Sequence, residues 1–152
     1  NQKLLFVMKK LFTLGVALLS TLALMAASQH TVSFDKLPAK SRDFVHRYFA
    51  GDKVQSIDHA KHHSVDTYDV NFANGDKLSF DAHSGDCLAI HLAEGSIPSK
   101  LLPQGVQEYL KKHYPAARAT SIERINGGSC IGLSSGEKVC LNRSGKLIKD
   151  GK

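Results

Sequence analysis

Residues 68–81 read YDVNFANGDKLSFD, and this stretch is the most informative part of the chain. Apolar and polar residues alternate on both sides of Asn74-Gly75, as in two strands that each bury one face. Asn-Gly is a preferred dipeptide for a tight turn between antiparallel strands, because both residues adopt positive φ readily. The stretch therefore predicts a β-hairpin with one apolar and one polar face.

A similar hairpin pattern occurs later in the chain, and a predicted helix precedes each copy. Leu-Pro stands at positions 37–38 and again at 102–103, and each pair begins a segment with apolar residues spaced by three and four. That spacing is helical, and proline suits the first turn of a helix. The residues at this spacing are Phe44, Val45, Tyr48 and Phe49 in the first segment, and Val106, Tyr109, Leu110, His113 and Tyr114 in the second.

After each predicted helix the apolar period changes to that of strands. Corresponding helices are 65 residues apart and corresponding hairpins 61, which indicates an internal repeat over residues 37–92 and 97–150. Each unit is predicted to be a helix followed by four antiparallel strands. The predicted strands lie at 54–57, 68–72, 78–80 and 88–92, then at 119–125, 131–133, 139–141 and 147–148.

We expect an α+β fold in which the two repeats form one antiparallel sheet with both helices on one face. A unit of about 60 residues buries only a marginal core alone, so the two units must share one. The face toward the helices would carry Tyr68, Val70, Phe72, Leu78, Phe80, Leu88 and Ile90. The open face would carry Asp69, Asn71, Lys77, Ser79, Asp81 and Cys87, of which the first five are the candidate binding residues.

The doubled Leu-Pro, helix and hairpin pattern, with residues 68–81 and the Ser-Gly that follows them, resembles a known family. It is similar to the PepSY-like, β-lactamase-inhibitor-like secreted proteins that are common in Bacteroidetes-type bacteria. The resemblance covers residues 32–151 and rests on turn glycines and core alternation, so it indicates a fold better than a function. It implies one continuous sheet with a concave open face. The second unit is more divergent, with Gly128 and Cys130 where the first has polar side chains.

The N-terminal segment is predicted to be an export signal. Residues 8–10 carry two lysines, and an uncharged apolar run over residues 11–27 follows. Small residues near its end predict cleavage between Ser28 and Gln29, and residues 1–7 form an extension before the signal. A membrane anchor is the alternative, but a run of about 17 residues is at the lower limit for a span. We expect a periplasmic or secreted protein.

The mature chain, residues 29–152, is expected to form a single domain. The full sequence has 152 residues, a net charge of +6 and 42% hydrophobic residues, an ordinary composition for a folded protein. Removing Lys3, Lys9 and Lys10 with the signal leaves 17 basic residues against 14 acidic ones, a net charge of +3. This small excess does not predict nucleic-acid binding. We expect no nucleic-acid partner and no stable membrane insertion after cleavage.

Three histidines, His59, His62 and His63, cluster in a predicted surface turn. Imidazoles at this spacing can bind zinc, copper or nickel, and Asp58 or Asp66 could complete such a site. A solvated polar turn is the alternative, since the paired Cys and His ligands of a strong zinc motif are missing. The cluster is the basis of an alternative function, a small-ligand or metal-binding carrier.

The sequence contains no specific catalytic motif. It lacks Gly-x-Ser-x-Gly, His-Glu-x-x-His, a phosphate loop and a dinucleotide fingerprint. Asp81 and Asp86 flank a turn, but Asn142 and Lys146 at the matching positions favour a turn role, and nothing places a base beside Cys87. We therefore expect a non-catalytic protein-binding or inhibitor-like module that uses its open sheet face. Its expected partner is an envelope or extracellular protein, and no cofactor is implied.

Two of the three cysteines are predicted to pair. A three-residue loop over 134–136 places Cys130 directly opposite Cys140, on the face away from the helices. Exported proteins enter an oxidising compartment, where such a pair becomes a disulfide. Three reduced thiols are the alternative, because a slip of one residue in the register separates the pair. In the disulfide reading Cys87 is the free thiol.

Overall fold

The computed structural model describes residues 30–62 and 64–148, which fold as α+β with one antiparallel sheet and two ten-residue helices. The helices are α1 (Ala39–Tyr48) and α2 (Gln104–His113). The strands are β1 (His30–Thr31), β2 (Val54–His62), β3 (Val65–Phe72), β4 (Lys77–Asp81), β5 (Cys87–His91), β6 (Ala119–Ile125), β7 (Gly128–Leu133) and β8 (Lys138–Asn142). The predicted signal over residues 1–28 lies outside the described residues. Among the described helices, none has the length and apolar character to cross a membrane.

The sheet follows the chain order from β1 to β8, and each strand is antiparallel to the one before it. It has seven longer strands and the two-residue β1 at one edge. Strands β2 to β5 follow α1, β6 to β8 follow α2, and the pair Ile90 and Ile122 joins the two groups at the β5–β6 contact. The predicted α+β class and single antiparallel sheet are confirmed.

The predicted fourth strand of the second unit is wrong for the described residues. After β8 the chain contributes only one isolated bridge, between Leu141 and Leu147. The side chain of Leu147 is 57% exposed, so this segment lacks the buried apolar face that stabilises a strand. Within the described residues, which end at 148, the second group therefore contains three strands where the alternation predicted four.

Aromatic contacts seat α1 on the apolar face of the sheet. Phe44 packs edge-on against Phe80 with 5.7 Å between ring centres, and Phe49 stacks on Phe72 at 5.3 Å. Residues of α2 belong to the same buried cluster as these strands. One hydrophobic core therefore lies between the helices and the sheet. The most deeply buried core residues include Val70, Leu78, Phe80, Val106, Ile131 and Leu141.

A close contact joins α1 to the turn between β4 and β5. The helix begins directly after Pro38, and the buried hydroxyl of Ser41 in its first turn donates a hydrogen bond to the carbonyl of Gly85 at 3.1 Å. Gly85 has φ +73°, and a Cβ at that position would lie 2.8 Å from Cβ of Pro38. Only glycine fits this contact, because it combines positive φ with an approach too close for a side chain.

The two hairpins have the register that the alternation predicts. In the first, Val70 lies opposite Leu78 and Tyr68 opposite Phe80. In the second, the corresponding core pair is Ile131 opposite Val139. The loop length and the apolar face both select this register, since a slip of one residue would turn the core side chains to solvent.

The prediction for strand β5 is wrong in its first two residues. A register shift between Ser79 and Phe80 places Cys87 opposite Phe80, on the helix side, where it packs against the core. Leu88, predicted in the core, lines the open face instead. A β-bulge adds one residue to a strand, so it reverses the alternation that the prediction used.

Candidate functional site

The open face of the sheet forms one groove across strands β2 to β6, with a volume of about 990 Å³. Residues that alternate with the core positions line it. All five candidate binding residues lie along this groove: Asp69, Asn71, Lys77, Ser79 and Asp81. The structure therefore brings the predicted set together on one surface, and it adds residues from β2, β5 and β6.

The strand register arranges the groove side chains in rows that run across the strands. One row contains two carboxylates in direct opposition, Asp58 on β2 and Asp69 on β3, followed by Ser79 on β4. The same row continues to Ala89 and Glu123. The next row along the strands contains Ser56, Asn71, Lys77, His91 and Ser121.

A hydrogen-bond network holds the carboxylates in these rows. Nδ2 of Asn71 donates to Oδ2 of Asp58 at 3.0 Å and to Oγ of Ser56 at 3.1 Å. The Ser79 hydroxyl donates to Oδ1 of Asp69 at 2.7 Å. Because each side chain is fixed by another, the floor of the groove is already organised before any ligand enters.

Asp58 is the site residue that the sequence prediction missed, having been considered only as an optional metal ligand in a surface turn. Strand β2 continues through this region to His62, and the side chain of Asp58 is 8% exposed. After Ile57 the segment has no large apolar residue, so its polar composition predicted a turn. The only signal in the sequence for the longer strand is that Asp58 directly follows the buried Ile57. In a strand, this position places Asp58 on the face opposite the core.

The predicted histidine cluster does not assemble in the described part of the chain. His59 lies opposite Tyr68 on the helix side, with ring centres 5.1 Å apart. His62 faces the groove, and its Nε2 lies 2.8 Å from Oδ2 of Asp69. Residues three apart in a strand point to opposite faces, so these two imidazoles cannot share a metal ion. His63 lies outside the described residues.

The remaining acidic ligand proposed for that cluster is engaged elsewhere. Asp66 lies 3.9 Å from the ammonium of Lys61. Within residues 30–62 and 64–148, no group of three or more His, Cys, Asp or Glu side chains is arranged to hold a metal ion. The described residues therefore do not support the metal-carrier prediction.

The groove is acidic, although the chain as a whole carries a net charge of +6. Four of its lining residues are acidic: Asp58, Asp69, Asp81 and Glu123. Two are basic: Lys77 and Arg124. The excess of carboxylates favours a ligand of positive charge, because the local field of a groove attracts opposite charge.

Asp81 differs from the other groove carboxylates because its own turn uses it. Its Oδ1 accepts backbone N–H groups from Ser84 at 2.7 Å and His83 at 3.0 Å. These hydrogen bonds stabilise the charged form and lower the pKa of Asp81. Asp81 therefore serves the β4–β5 turn first and contributes negative charge at one end of the groove.

The cysteines separate into a disulfide beside the groove and a partly buried thiol behind it. Cys130 and Cys140 form a disulfide, which is the pair expected from the hairpin register, and Cys130 lies opposite Glu123. Cys87 packs against the core, and burial raises the pKa of its thiol to about 12. Since only the thiolate is a nucleophile, the raised pKa predicts low reactivity for Cys87 in the folded protein.

Comparisons with solved structures support this fold. A crystal structure described as "a putative periplasmic protein of unknown function" from Bacteroides vulgatus is 30% identical, with a TM-score of 0.71 over 77% of this chain and 93% of that chain. A second "putative periplasmic protein" from the same species is 26% identical, with a TM-score of 0.74 over 82% and 97%. A "putative calcium-regulated periplasmic protein" from Bacteroides thetaiotaomicron shares the fold at 24% identity, with a TM-score of 0.72 over 78% and 93%.

The family comparison identifies the chain more directly. Among curated proteins, none matches it significantly. The relatives of known structure are described as periplasmic, which confirms the localisation predicted from the sequence. The family model described as "Putative beta-lactamase-inhibitor-like, PepSY-like" matches residues 66–149, more than half of the chain. Together with the 30% identity to a relative that it covers almost completely, this match shows that the chain belongs to the PepSY-like, beta-lactamase-inhibitor-like family.

Proposed function

We propose that this protein is a non-catalytic periplasmic binding module whose open-face groove holds a segment of another envelope or extracellular protein. The observation that carries the proposal is the groove itself, about 990 Å³ in volume and lined by side chains that already hydrogen-bond to one another. A site organised before binding loses less conformational entropy when its ligand enters.

The shape of the groove favours a chain segment over a compact small molecule. It crosses five strands, and neighbouring strands are about 4.8 Å apart, so it is about 19 Å long. An extended peptide rises about 3.3 Å per residue, so five or six residues would lie along the groove. Along its whole length, the open groove exposes backbone and side-chain groups to such a segment.

The chemistry of the lining favours a reversible partner. Tight protein interfaces are anchored by Trp, Tyr and Arg in desolvated pockets. The lining includes Arg124 but no Trp, Tyr or Phe among the described residues, and most of its polar groups are charged or hydroxylic. We therefore expect the groove to bind its segment with moderate affinity that depends strongly on ionic strength. A tight inhibitor would bind more strongly.

The ionisable groups support a binding role over catalysis. A general acid or base needs a pKa near the working pH. In the groove, turn amides hold the pKa of Asp81 low. The Cys87 thiol has its pKa raised to about 12 and lies on the helix side of the sheet. Neither group is suited to proton transfer or nucleophilic attack on a ligand in the groove.

Site-directed photocrosslinking in the periplasm tests the proposal. The photoreactive residue p-benzoylphenylalanine replaces Lys77, an exposed groove residue, or in the matched control Lys111, an exposed residue of α2. We expect discrete adducts with an exported protein, identified by mass spectrometry, from position 77 alone. Equal adducts from both positions, or none from position 77, would show that the groove does not hold a protein.

We also propose that residues 37–92 and 97–150 are tandem repeats of one unit. The support is their shared order of Leu-Pro, a ten-residue helix and antiparallel strands, together with equal hairpin register. Superposing the two halves of an experimental structure checks this: helix and strands should coincide together. A different placement of the helix relative to its strands would contradict a repeat.

A further inference from the structure

We propose that Asp58 and Asp69 form a subsite for one basic side chain, lysine or arginine, of the segment that occupies the groove. This inference rests on the binding function proposed above and names the chemistry that the groove recognises. It depends on two described features of the floor of the groove: a pair of opposed carboxylates, and a buried hydroxyl without a partner.

The two carboxylates lie directly opposite each other on neighbouring strands. Opposed residues in an antiparallel pair have Cβ atoms about 4.5–5.5 Å apart, and like charges in this arrangement repel each other. The hydrogen bonds from Asn71 and Ser79 hold both side chains in place despite this repulsion. A positive group bound between them would neutralise it.

Asp58 has unused capacity to accept hydrogen bonds. Its Oδ2 accepts from Asn71 and Ser56, whereas its Oδ1 accepts from no donor among the described residues. In the described chain, no basic nitrogen lies within 4.0 Å of this carboxylate, although its side chain is only 8% exposed. A buried carboxylate is costly unless a cation or hydrogen-bond donors compensate for its lost hydration.

Asp69 is partly engaged but accessible from the groove. Ser79 occupies one of its oxygens and the His62 ring the other, at 2.7 Å and 2.8 Å. Each carboxylate oxygen has two lone pairs, so both can accept a further donor. His62 itself is largely exposed, at 59%, and does not close the subsite.

Thr67 provides the second, independent observation. Its Oγ1 is fully buried without a hydrogen-bond partner among the described atoms, and the residue is 1% exposed. It lines the groove as the next residue after Asp69 on that face of β3, about 6.6 Å away along the strand. A bound lysine or arginine would supply the missing donor.

The geometry suits a basic side chain better than a metal ion. A guanidinium presents five N–H donors in a planar fork, and an ammonium presents three, so either can donate to two carboxylates at once. The described residues contain no set of three metal-binding side chains here. The acidic lining of the groove would also attract a positively charged segment.

Selection from a phage library of random nonapeptides against the immobilised mature protein tests the inference. We expect enriched peptides that share lysine or arginine at one position. Enriched peptides without a basic residue would overturn the subsite and leave the binding function standing. If no peptide is enriched, the binding function fails and the subsite fails with it.

Variants then locate the contact. With the best basic peptide, replacing its basic residue by glutamine should weaken binding to the wild-type protein at least about tenfold, as expected for a charge-assisted hydrogen bond. The same change should have a smaller effect on binding to Asp58→Asn, which keeps Asp69, and no effect on binding to the Asp58→Asn, Asp69→Asn double variant. The control, Asp43→Asn with Glu94→Gln, removes two exposed carboxylates outside the groove and should behave as wild type.

Two results would overturn the assignment. An unchanged tenfold difference in the double variant would place the basic residue elsewhere on the protein. Loss of peptide binding on addition of EDTA would show that the carboxylates hold a metal ion instead. Far-ultraviolet circular dichroism of each variant confirms folding. If the double variant does not fold, the comparison is made with the single Asp58→Asn variant.

Discussion

Cys130 and Cys140 lie opposite each other in the β7–β8 hairpin at the positions that Asp69 and Ser79 occupy in the β3–β4 hairpin. Each is the fourth pair counted from its three-residue loop, and a core pair lies next to it on the side of the turn. In the first hairpin, the pair forms a hydrogen bond in the groove, from Ser79 to Asp69. In the second, the pair forms the disulfide at the edge of the groove. The polar chemistry of the open face is therefore concentrated in the first half of the chain.

Glycines reinforce this division of the open face. Gly132 stands where the first hairpin has Asn71, and a Cβ on it would lie 2.3 Å from Oγ of Ser121. Gly128 stands where the first hairpin has Thr67, and a Cβ there would lie 2.1 Å from the carbonyl oxygen of Leu141. The second half therefore has close packing at these two positions, where the first half has side chains on the open face.

The disulfide should make a moderate contribution to stability. It links residues only ten positions apart, so loop closure accounts for about 2–3 kcal/mol of the free energy of unfolding. We expect the Cys130→Ser, Cys140→Ser double variant to lose at most that amount in urea unfolding. In non-reducing peptide mapping of the exported protein, a bridge that contains Cys87, or three free thiols, would contradict this assignment.

Replacing Asp58 by asparagine should stabilise the protein. The change removes the repulsion from Asp69, and the Oδ1 of asparagine can still accept the hydrogen bond from Asn71. Opposed like charges cost about 0.2–1 kcal/mol, so we expect a gain of that size in the free energy of unfolding. Asp43→Asn, on the exposed surface of α1, is the control and should change nothing.

Urea unfolding of both variants at neutral pH provides the measurement. A clear loss of stability in Asp58→Asn would mean that its charge has a structural partner, which the binding subsite excludes. A gain together with loss of peptide binding would show that the wild-type residue is retained for function at a cost in stability, as is common in binding sites.

The fold was more predictable than the site because the two depend on different features of the sequence. The register of the hairpins follows from turn length and apolar alternation, and both were visible around Asn74-Gly75. The position of Cys87 was not, because a bulge in β4–β5 pairing reverses the alternation without a mark in the sequence. Asp58 was missed because its strand is polar beyond Ile57 and gains its order from pairing with β3.

Two members of the predicted histidine cluster, His59 and His62, are separated for a related reason. Closeness in the sequence was read as closeness in space, which holds in a turn but not in an extended strand. Once β2 extends to His62, residues 59 and 62 fall on opposite faces of the sheet. Chemistry assigned from local spacing therefore depends on the secondary structure at that position.

Gly85 should be among the least replaceable turn residues. Alanine there would be strained by φ +73° and would place its Cβ against Pro38 and Lys40 at 2.8 and 3.1 Å. Gly95 is the matched control, since it has φ +82° but nothing within 4 Å of the Cβ that alanine would add. Positive φ alone costs about 1–2 kcal/mol for alanine. We expect Gly85→Ala to lower the free energy of unfolding clearly more than Gly95→Ala does. Urea unfolding measures both losses. Equal losses would mean that the close contact of Gly85 with α1 contributes nothing to the cost of the substitution.

The partly buried thiol of Cys87 predicts a loss of stability at alkaline pH. Burial raises its pKa from 9.0 in the unfolded chain to about 12 in the folded protein. Above pH 9 the unfolded state therefore loses a proton that the folded state keeps, so ionisation favours unfolding. The contribution is fully present below pH 9 and decreases progressively as the pH rises toward 12.

Comparison with Cys87→Ala isolates this contribution, because other groups also ionise at high pH. We expect the difference in free energy of unfolding between the wild type and Cys87→Ala to be constant from pH 6 to pH 8 and to shift against the wild type above about pH 9. A maleimide should also leave the native thiol unmodified at pH 7, since the thiolate is the reactive form. Rapid labelling at pH 7, or a constant difference up to pH 11, would show that Cys87 is exposed to solvent and not packed beneath the helices.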